Sequence, residues 1–448
     1  MHAVWGKDMD GIFRRSSVAL VAISVVLSGC AGHTPGASMF AKSPEFSETE
    51  QPASALSRVP GDAESKIIDT LLDRQSMLPK GSDLSEVANA ALNASARASE
   101  AELRSAKLRA EAASKNWLPT LGPNISLTSM GDLVTSMLLE QVLFDNGRRK
   151  AERAFAAADV EVVAVNLSED MNDRVYTALS LYLTALRGTE SAQLDARALG
   201  RMREFERIVV GRVNGGVSDR ADQRVVESKI NAMKSSQATA QEVAATAQAE
   251  LRAMTGQTFE ADLTGRVSLG VPAGSMAMLS VLKAEAEAER SVAEAKMTRA
   301  GLLPGVSASV DVSENDVVGA IGSGLETPLG FGTPAQMRAI EASKETAKRQ
   351  VGEAQEDAAR SESRLRQRLL SFQRQEAEAK QLAEQSHVTF RLFERQFEAG
   401  QRSVMDVINI YEQLVDRERA HVDAKYEVVL IQLELARDFG VLADGDEI

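Results

Sequence analysis

Residues 123–144 read PNISLTSMGDLVTSMLLEQVLF, and their periodicity differs from everything around them. Ile125, Leu127 and Ser129 alternate with polar or small partners, Gly131-Asp132 supplies a turn, and a second apolar run continues to Phe144. Two-residue alternation about a central turn predicts a β-hairpin with arms of about ten residues. On either side the period is helical. It starts near Ala63 and is dense over Leu84–Lys115, where Ala and Leu recur at three- and four-residue steps. The two prolines of NWLPTLGP then stop that helix. After the hairpin, Asp145 or Asn146 is placed to cap a helix that runs without proline from about Gly147 to Arg212. At a rise of 1.5 Å per residue such a helix is roughly 95–100 Å long, far beyond the ordinary globular helix. Gly215 and Gly216 break it, and Ser218 or Asp219 caps a partner helix reaching about Met254.

The same series then occurs again. A helix from about Ser275 to Gly301 ends in LLPG, and VSASVDVSENDVVGAIGSGLETPLGFGTP supplies a second alternating stretch. Pro334 opens another very long helix to about Phe397, Gly400 breaks it, and a last helix runs to about Asp438. Leu118-Pro119 corresponds to Leu303-Pro304, Gly216 to Gly400, Asp222 to Asp406, Leu251 to Leu435 and Gly256 to Gly440, always at an offset of 184 or 185 residues. A constant offset over this span implies a duplicated helix–hairpin–long helix–turn–helix unit. In the second long helix, Ala347, Val351, Ala358, Leu365, Leu369, Ala383 and Phe390 fall near a 3.5-residue period, which predicts a packed seam.

Composition limits the function. Aromatic residues make up 4% of 448, and Ala, Glu, Arg, Gln and Leu dominate, as in long helices and coiled coils. The net charge of −13 without a basic patch argues against nucleic acid as a partner. The four histidines are scattered and the single cysteine excludes an internal disulfide or a thiolate cluster, so no metal site, cofactor or catalytic residue is expected. GSGLETPLG contains Gly322 and Gly324 but lacks the Gly-Lys-Ser/Thr run of a phosphate loop.

That cysteine stands at the end of an export signal. Lys7, Arg14 and Arg15 precede the apolar run SVALVAISVVL at 17–27, too short to span a bilayer and suited to a signal peptide. Leu27-Ser28-Gly29-Cys30 resembles the lipobox of bacterial lipoproteins, which implies cleavage before Cys30 and acylation of its thiol. Ala31 follows rather than an Asp, which favours the outer membrane. The expected organisation is a signal peptide at 1–29, a lipidated tether at 30–60, a first repeat at 61–256 with its β-hairpin at about 120–144, a connector at 257–274, a second repeat at 275–440 with its β-hairpin at about 304–332, and a tail at 441–448.

If the strands enter a membrane, chemistry dictates their number. Each arm has about the length of a tilted transmembrane strand. Four strands cannot close, and an open edge cannot sit in lipid with its backbone groups unpaired. Three chains would supply about twelve strands, within the known range of barrels. The rival reading is a non-channel periplasmic coiled-coil lipoprotein acting as spacer or adaptor. It accounts for the helical seam and not for the hairpins.

WLPTLGPNISL, QVLFDNGRRKAE at the strand-to-helix junction and RQFEAGQRSVMDVINIYEQLVDRERAHVDAKYE at the second helical turn resemble the TolC family of outer-membrane efflux and secretion channels, in its lipoprotein branch, over roughly residues 65–440. The resemblance implies a mainly α fold with a small β part. Duplicated antiparallel helical hairpins would form a trimeric periplasmic α-barrel, and the strands a shared transmembrane β-barrel in outer-membrane lipid. It implies a homotrimeric passive duct, working with a periplasmic adaptor (a membrane fusion protein) and an inner-membrane RND or ABC transporter. It also places an iris-like gate at the hairpin tips, Arg212–Asp222 and Phe397–Asn409. Gly400, Arg402 and Asp406 match the family's Gly, Arg and Asp. Phe397 stands where the family has a gating Tyr, Asn409 where it has a second pore-lining Asp, and Ala221 where it has a Thr. Arg402 is expected to pair with Asp222 of a neighbouring hairpin.

Overall fold

A computed structural model describes residues 56, 65–94, 98–127, 133–260, 269–272, 276–313, 316–324 and 330–446. Cys30 and the segment around it lie outside the described residues. The described part belongs to one unit, Ala53–Ile448.

Three short helices come first: α1 (Lys66–Leu72), α2 (Asp83–Asn93) and α3 (Ala98–Ser114). The hydroxyl of Ser65 accepts from Ile68 N at 3.1 Å and that of Ser82 from Ser85 N at 3.3 Å, so each of the first two helices begins on a serine cap. The dense period over Leu84–Lys115 predicts one helix, whereas the structure has two, α2 ending at Asn93 and α3 beginning at Ala98. Asn93 competes for backbone groups and is a poor residue for continuing a helix.

Strands β1 (Thr120–Leu127) and β2 (Leu133–Phe144) follow, then α4 (Arg148–Asn214, 67 residues) and α5 (Arg220–Thr255, 36 residues). The second half repeats the order with α6 (Leu279–Gly301), β3 (Gly305–Ser313), β4 (Val317–Gly324), α7 (Thr333–Glu398, 66 residues) and α8 (Val404–Asp438, 35 residues). The duplication is reproduced in backbone detail. Gly216 and Gly400 have φ of +72° and +73°, and Gly256 and Gly440 have +71° and +62°. A side chain is disfavoured in that left-handed region, so both tip turns are restricted to glycine in the same way.

Helices α4 and α5 pack as one hairpin and α7 and α8 as the other, with α4 also against α6 and α8. Gly188 permits close approach of α4 and α5, since a Cβ there would lie 2.8 Å from Ala240 O and 2.9 Å from Ala244 N. On α7, Ala347, Ala358, Leu365, Leu369, Ala383 and Phe390 are buried, so the 3.5-residue seam is the packed face. The segment after α1 is tied to the segments before α6 and after α8. Arg74 donates to Phe439 O at 2.5 Å and Ala277 O at 2.9 Å, and Asn172 Oδ1 accepts from Leu442 N at 2.9 Å. Val441, Leu442 and Ala443 are buried, so the segment after α8 is part of the core.

The four strands form one antiparallel sheet in the order β1-β2-β3-β4, with β2 and β3 joining the two repeats. Register assigns the two faces. Leu121 pairs with Leu139, Ile125 with Thr135, Leu139 with Val310 and Ala308 with Ile321, which sets these apolar side chains on one face. The opposite face carries Asn124, Ser136, Glu140, Ser309 and Asp311, and Asn124 Nδ2 lies 3.5 Å from Asp311 Oδ2 across it. The apolar face is bare: Ile125 is 65% and Ile321 77% exposed. A register shift between Val142 and Phe144 brings Phe144 opposite Val306, on the apolar side. Edges β1 and β4 have no further strand partner among the described residues. No helix among the described residues is long and apolar enough to cross a membrane.

Candidate gate at the hairpin tips

The first tip forms where α4 meets Gly215 and Gly216. The carbonyl of Arg212 accepts from Val217 N at 2.8 Å and Ser218 N at 3.2 Å, and Arg212 Nε donates to Ser218 Oγ at 3.3 Å. Of the two expected caps, Asp219 is the one used: its Oδ1 accepts from Ala221 N at 3.3 Å. Asp222 is the third residue of α5, half-buried, with its N–H donated to Asp219 O at 3.1 Å.

The second tip is built on the same plan. Gly400 N donates to Phe397 O at 2.9 Å and Gln401 N to Gln396 O at 2.8 Å. Ser403 and Asp406 form a reciprocal capping box: Asp406 N donates to Ser403 Oγ at 3.2 Å, and Ser403 N to Asp406 Oδ2 at 3.2 Å. The Ser403 hydroxyl and N–H, followed by the charge of Arg402, hold the Asp406 carboxyl below its ordinary value. Asp406 thus occupies in α8 the position that Asp222 occupies in α5.

Within one chain the tips do not bring Arg402 to Asp222. Arg402 Nε donates to Gln396 Oε1 at 3.2 Å, and its guanidinium lies 4.6 Å from the centre of the Phe393 ring. Both partners belong to its own hairpin, where a cation over an aromatic face is favourable. Phe397 is half-buried against the core, and Asn409 is exposed.

Behind the tips lies a cluster that the sequence analysis does not single out. Phe390, Tyr411 and Phe205 meet at ring separations of 5.0, 5.8 and 6.5 Å. They join α4 to α7 and α8. Burial, then the negative charge of Glu418, pushes the Tyr411 hydroxyl up to about 12. Ion pairs surround it: Arg201 with Glu394, and Lys229 with Glu412. Further from the tip, Arg419 donates to Asp195 at 2.9 and 2.6 Å, and Lys425 and Tyr426 both donate to Glu190 at 2.8 Å. The signal available in the sequence was the scarcity of aromatic residues, which makes Phe390, Phe393, Phe397 and Tyr411 within 22 residues conspicuous. Among the described residues no group of side chains is arranged to hold a metal ion.

Long paired hairpins, a four-stranded sheet with one bare apolar face, and tip turns repeated at fixed spacing define a fold shared with solved outer-membrane proteins. The chain superposes on the outer membrane protein VceC from Vibrio cholerae with a TM-score of 0.68 at 16% identity, covering 80% of this chain and 96% of that one. It is also similar to the open state of the MtrE outer membrane channel of Neisseria gonorrhoeae (TM-score 0.65, 17% identity, 89% and 99% covered). The CmeC outer membrane channel of Campylobacter jejuni gives 0.61 at 12% identity, with 93% and 95% covered. A search of curated protein sequences finds no match. Residues 278–441, from the start of α6 to just past α8, match the family model for outer membrane efflux protein.

Proposed function

We propose that the chain is one third of an outer-membrane exit duct: a passive trimeric channel that crosses the outer membrane and periplasm. The observation that carries this reading is the sheet. One face is apolar and bare, the other carries the charged and amide side chains Asn124, Glu140 and Asp311, and neither edge has a further strand among the described residues, which suits a shared barrel with lipid outside and water inside. Three copies would supply twelve strands. The likeness to outer-membrane channels and the efflux-protein domain support the same assignment. In this reading Cys30 is acylated and anchors the mature chain in the outer membrane, with the helices in the periplasm. The polar tips are the entrance, which a periplasmic adaptor and an inner-membrane RND or ABC transporter would engage and open. Asp222, Phe397, Arg402, Asp406 and Asn409 line that entrance. Gly215, Gly216 and Gly400 shape its turns.

Native mass measurement of detergent-extracted protein is expected to give three chains, and the purified trimer to conduct ions in planar bilayers. A monomer in membranes, or a trimer without conductance, would favour the periplasmic spacer instead. Mass spectrometry of the mature N-terminus tests the anchor separately, through an acylated Cys30.

A further inference from the structure

The end of the sheet nearest the helices differs from the rest of it. Trp117, Phe144 and Phe331 flank the strands there, and Trp117 is 61% exposed. No other aromatic residue occurs between 117 and 144 or between 303 and 331, so the aromatic side chains stand at one end of the sheet only. Directly beyond Phe144, α4 opens on Arg148, Arg149 and Lys150, with Arg153 one turn on and no acidic residue in the first turn. Cations are disfavoured at a helix N-terminus, where the backbone dipole is positive.

Two of these cations have structural duties. Arg149 donates to Asn116 O and Arg153 to Asn116 Oδ1 at 2.7 Å, while Asn116 Nδ2 donates to Arg149 O at 3.0 Å. This network fixes Trp117 beside the start of α4. Arg148 pairs with Glu152 at 3.0 Å. Lys150 is exposed and forms no ion pair among the described residues. The second repeat lacks the feature, since α7 begins Thr-Pro-Ala-Gln-Met before its first cation, Arg338.

We propose that the junction of β2 with α4 docks anionic phospholipid of the membrane leaflet facing the helices. Trp117 and Phe144 would sit at the glycerol level and Lys150 would meet the headgroup phosphate. The inference rests on the barrel reading above. Charge complementarity selects the occupant: an unpaired cation in the first turn of the helix that follows exposed Phe144, beyond the end of the apolar sheet face, matches a negatively charged headgroup above acyl chains. Because only the first repeat has the basic turn, the trimer has three such sites and not six.

Trp5 lies in the expected signal peptide, so the mature protein starting at Cys30 carries Trp117 as its one native depth probe. The protein is reconstituted in phosphatidylcholine vesicles with brominated phosphatidylcholine or brominated phosphatidylglycerol at equal mole fraction. Bromines near the glycerol end of the acyl chain are expected to quench Trp117 more than bromines near the methyl end. Brominated phosphatidylglycerol is expected to quench about twofold more than brominated phosphatidylcholine, from headgroup attraction. Lys150→Glu should remove that excess and leave the depth profile unchanged, and high salt should reduce it. Equal quenching by the two lipids, or an excess that survives Lys150→Glu, overturns the proposal. Conducting trimers with Trp117 unquenched overturn it while leaving the channel intact. Protein that neither enters vesicles nor conducts overturns the barrel reading as well.

Discussion

At the residue scale, Arg74 holds together three parts of the chain without a carboxylate partner among the described residues. Burial lowers its pKa to about 10, so it remains charged at neutral pH. Its two hydrogen bonds go to carbonyls, one of them Phe439 at the C-terminal cap of α8, where a cation is favoured. Arg74→Met keeps the apolar volume but leaves both carbonyls unpaired. We expect a loss of about 2–3 kcal/mol in denaturant unfolding. Asp406 gives a pH dependence. Its carboxyl is held below the ordinary value in the folded protein, so its contribution is present above the unfolded value and is lost as pH falls through the folded one. Amide protection at 403–407 is expected to fall in that acid range in the native chain and to be independent of pH there in Asp406→Asn. The tip glycines were legible in the sequence because a break in a proline-free helix has few other causes. The partner of Arg402 was not, because Phe393 lies on the same hairpin and its direction depends on how the turn folds.

At the element scale, alternation was enough to find the strands, and pairing was needed to tell their faces apart. The bulge that moves Phe144 to the apolar face has no signal in LLEQVLF, which contains no glycine. With the faces assigned, neighbouring residues should respond differently to the same charge. Ile125→Arg puts a cation on the apolar face and is expected to cost about 2–4 kcal/mol if it falls near the bilayer midplane. Asn124→Arg puts it on the polar face and should be nearly neutral. Heat or denaturant midpoints of trimer dissociation compare the two. Between helices, the contact of Gly188 with Ala240 and Ala244 leaves no room for a branched side chain. Gly188→Val is expected to cost about 1–3 kcal/mol by overpacking, although valine is the better helix former. That contact joins residues 52 apart or more, so helical period alone does not reveal it.

At the scale of the whole molecule, the duplication was readable as a constant offset, while the ties between the two hairpins were not, because they join residues some 200 apart in sequence. In the proposed duct, those ties would decide how the tip opens. Two of the ties that hold the α7–α8 hairpin to α4 lie toward the tip, at two levels. The upper level is Asp195–Arg419, where the Asp195 carboxylate is 1% exposed. Breaking a buried pair by removing one partner costs about 3–5 kcal/mol. The lower level is Phe205, Phe390 and Tyr411 with half-exposed ion pairs, where each aromatic contact contributes about 0.5–1.5 kcal/mol. The weaker level is nearer the tip, so opening should swing the hairpin below Asp195 and leave the upper tie in place. Arg402, engaged by Gln396 and Phe393, would stiffen the end of the hairpin that this opening moves. Phe205→Ala, Phe397→Ala and Arg402→Ser are therefore expected to raise single-channel conductance without loss of the trimer, with Phe205→Ala the largest because it touches two rings at once. Arg419→Met should lower the midpoint of thermal unfolding and change conductance less. If the first three variants conduct as the native chain does and pass no more large antibiotic across the outer membrane, the gate does not lie at these turns.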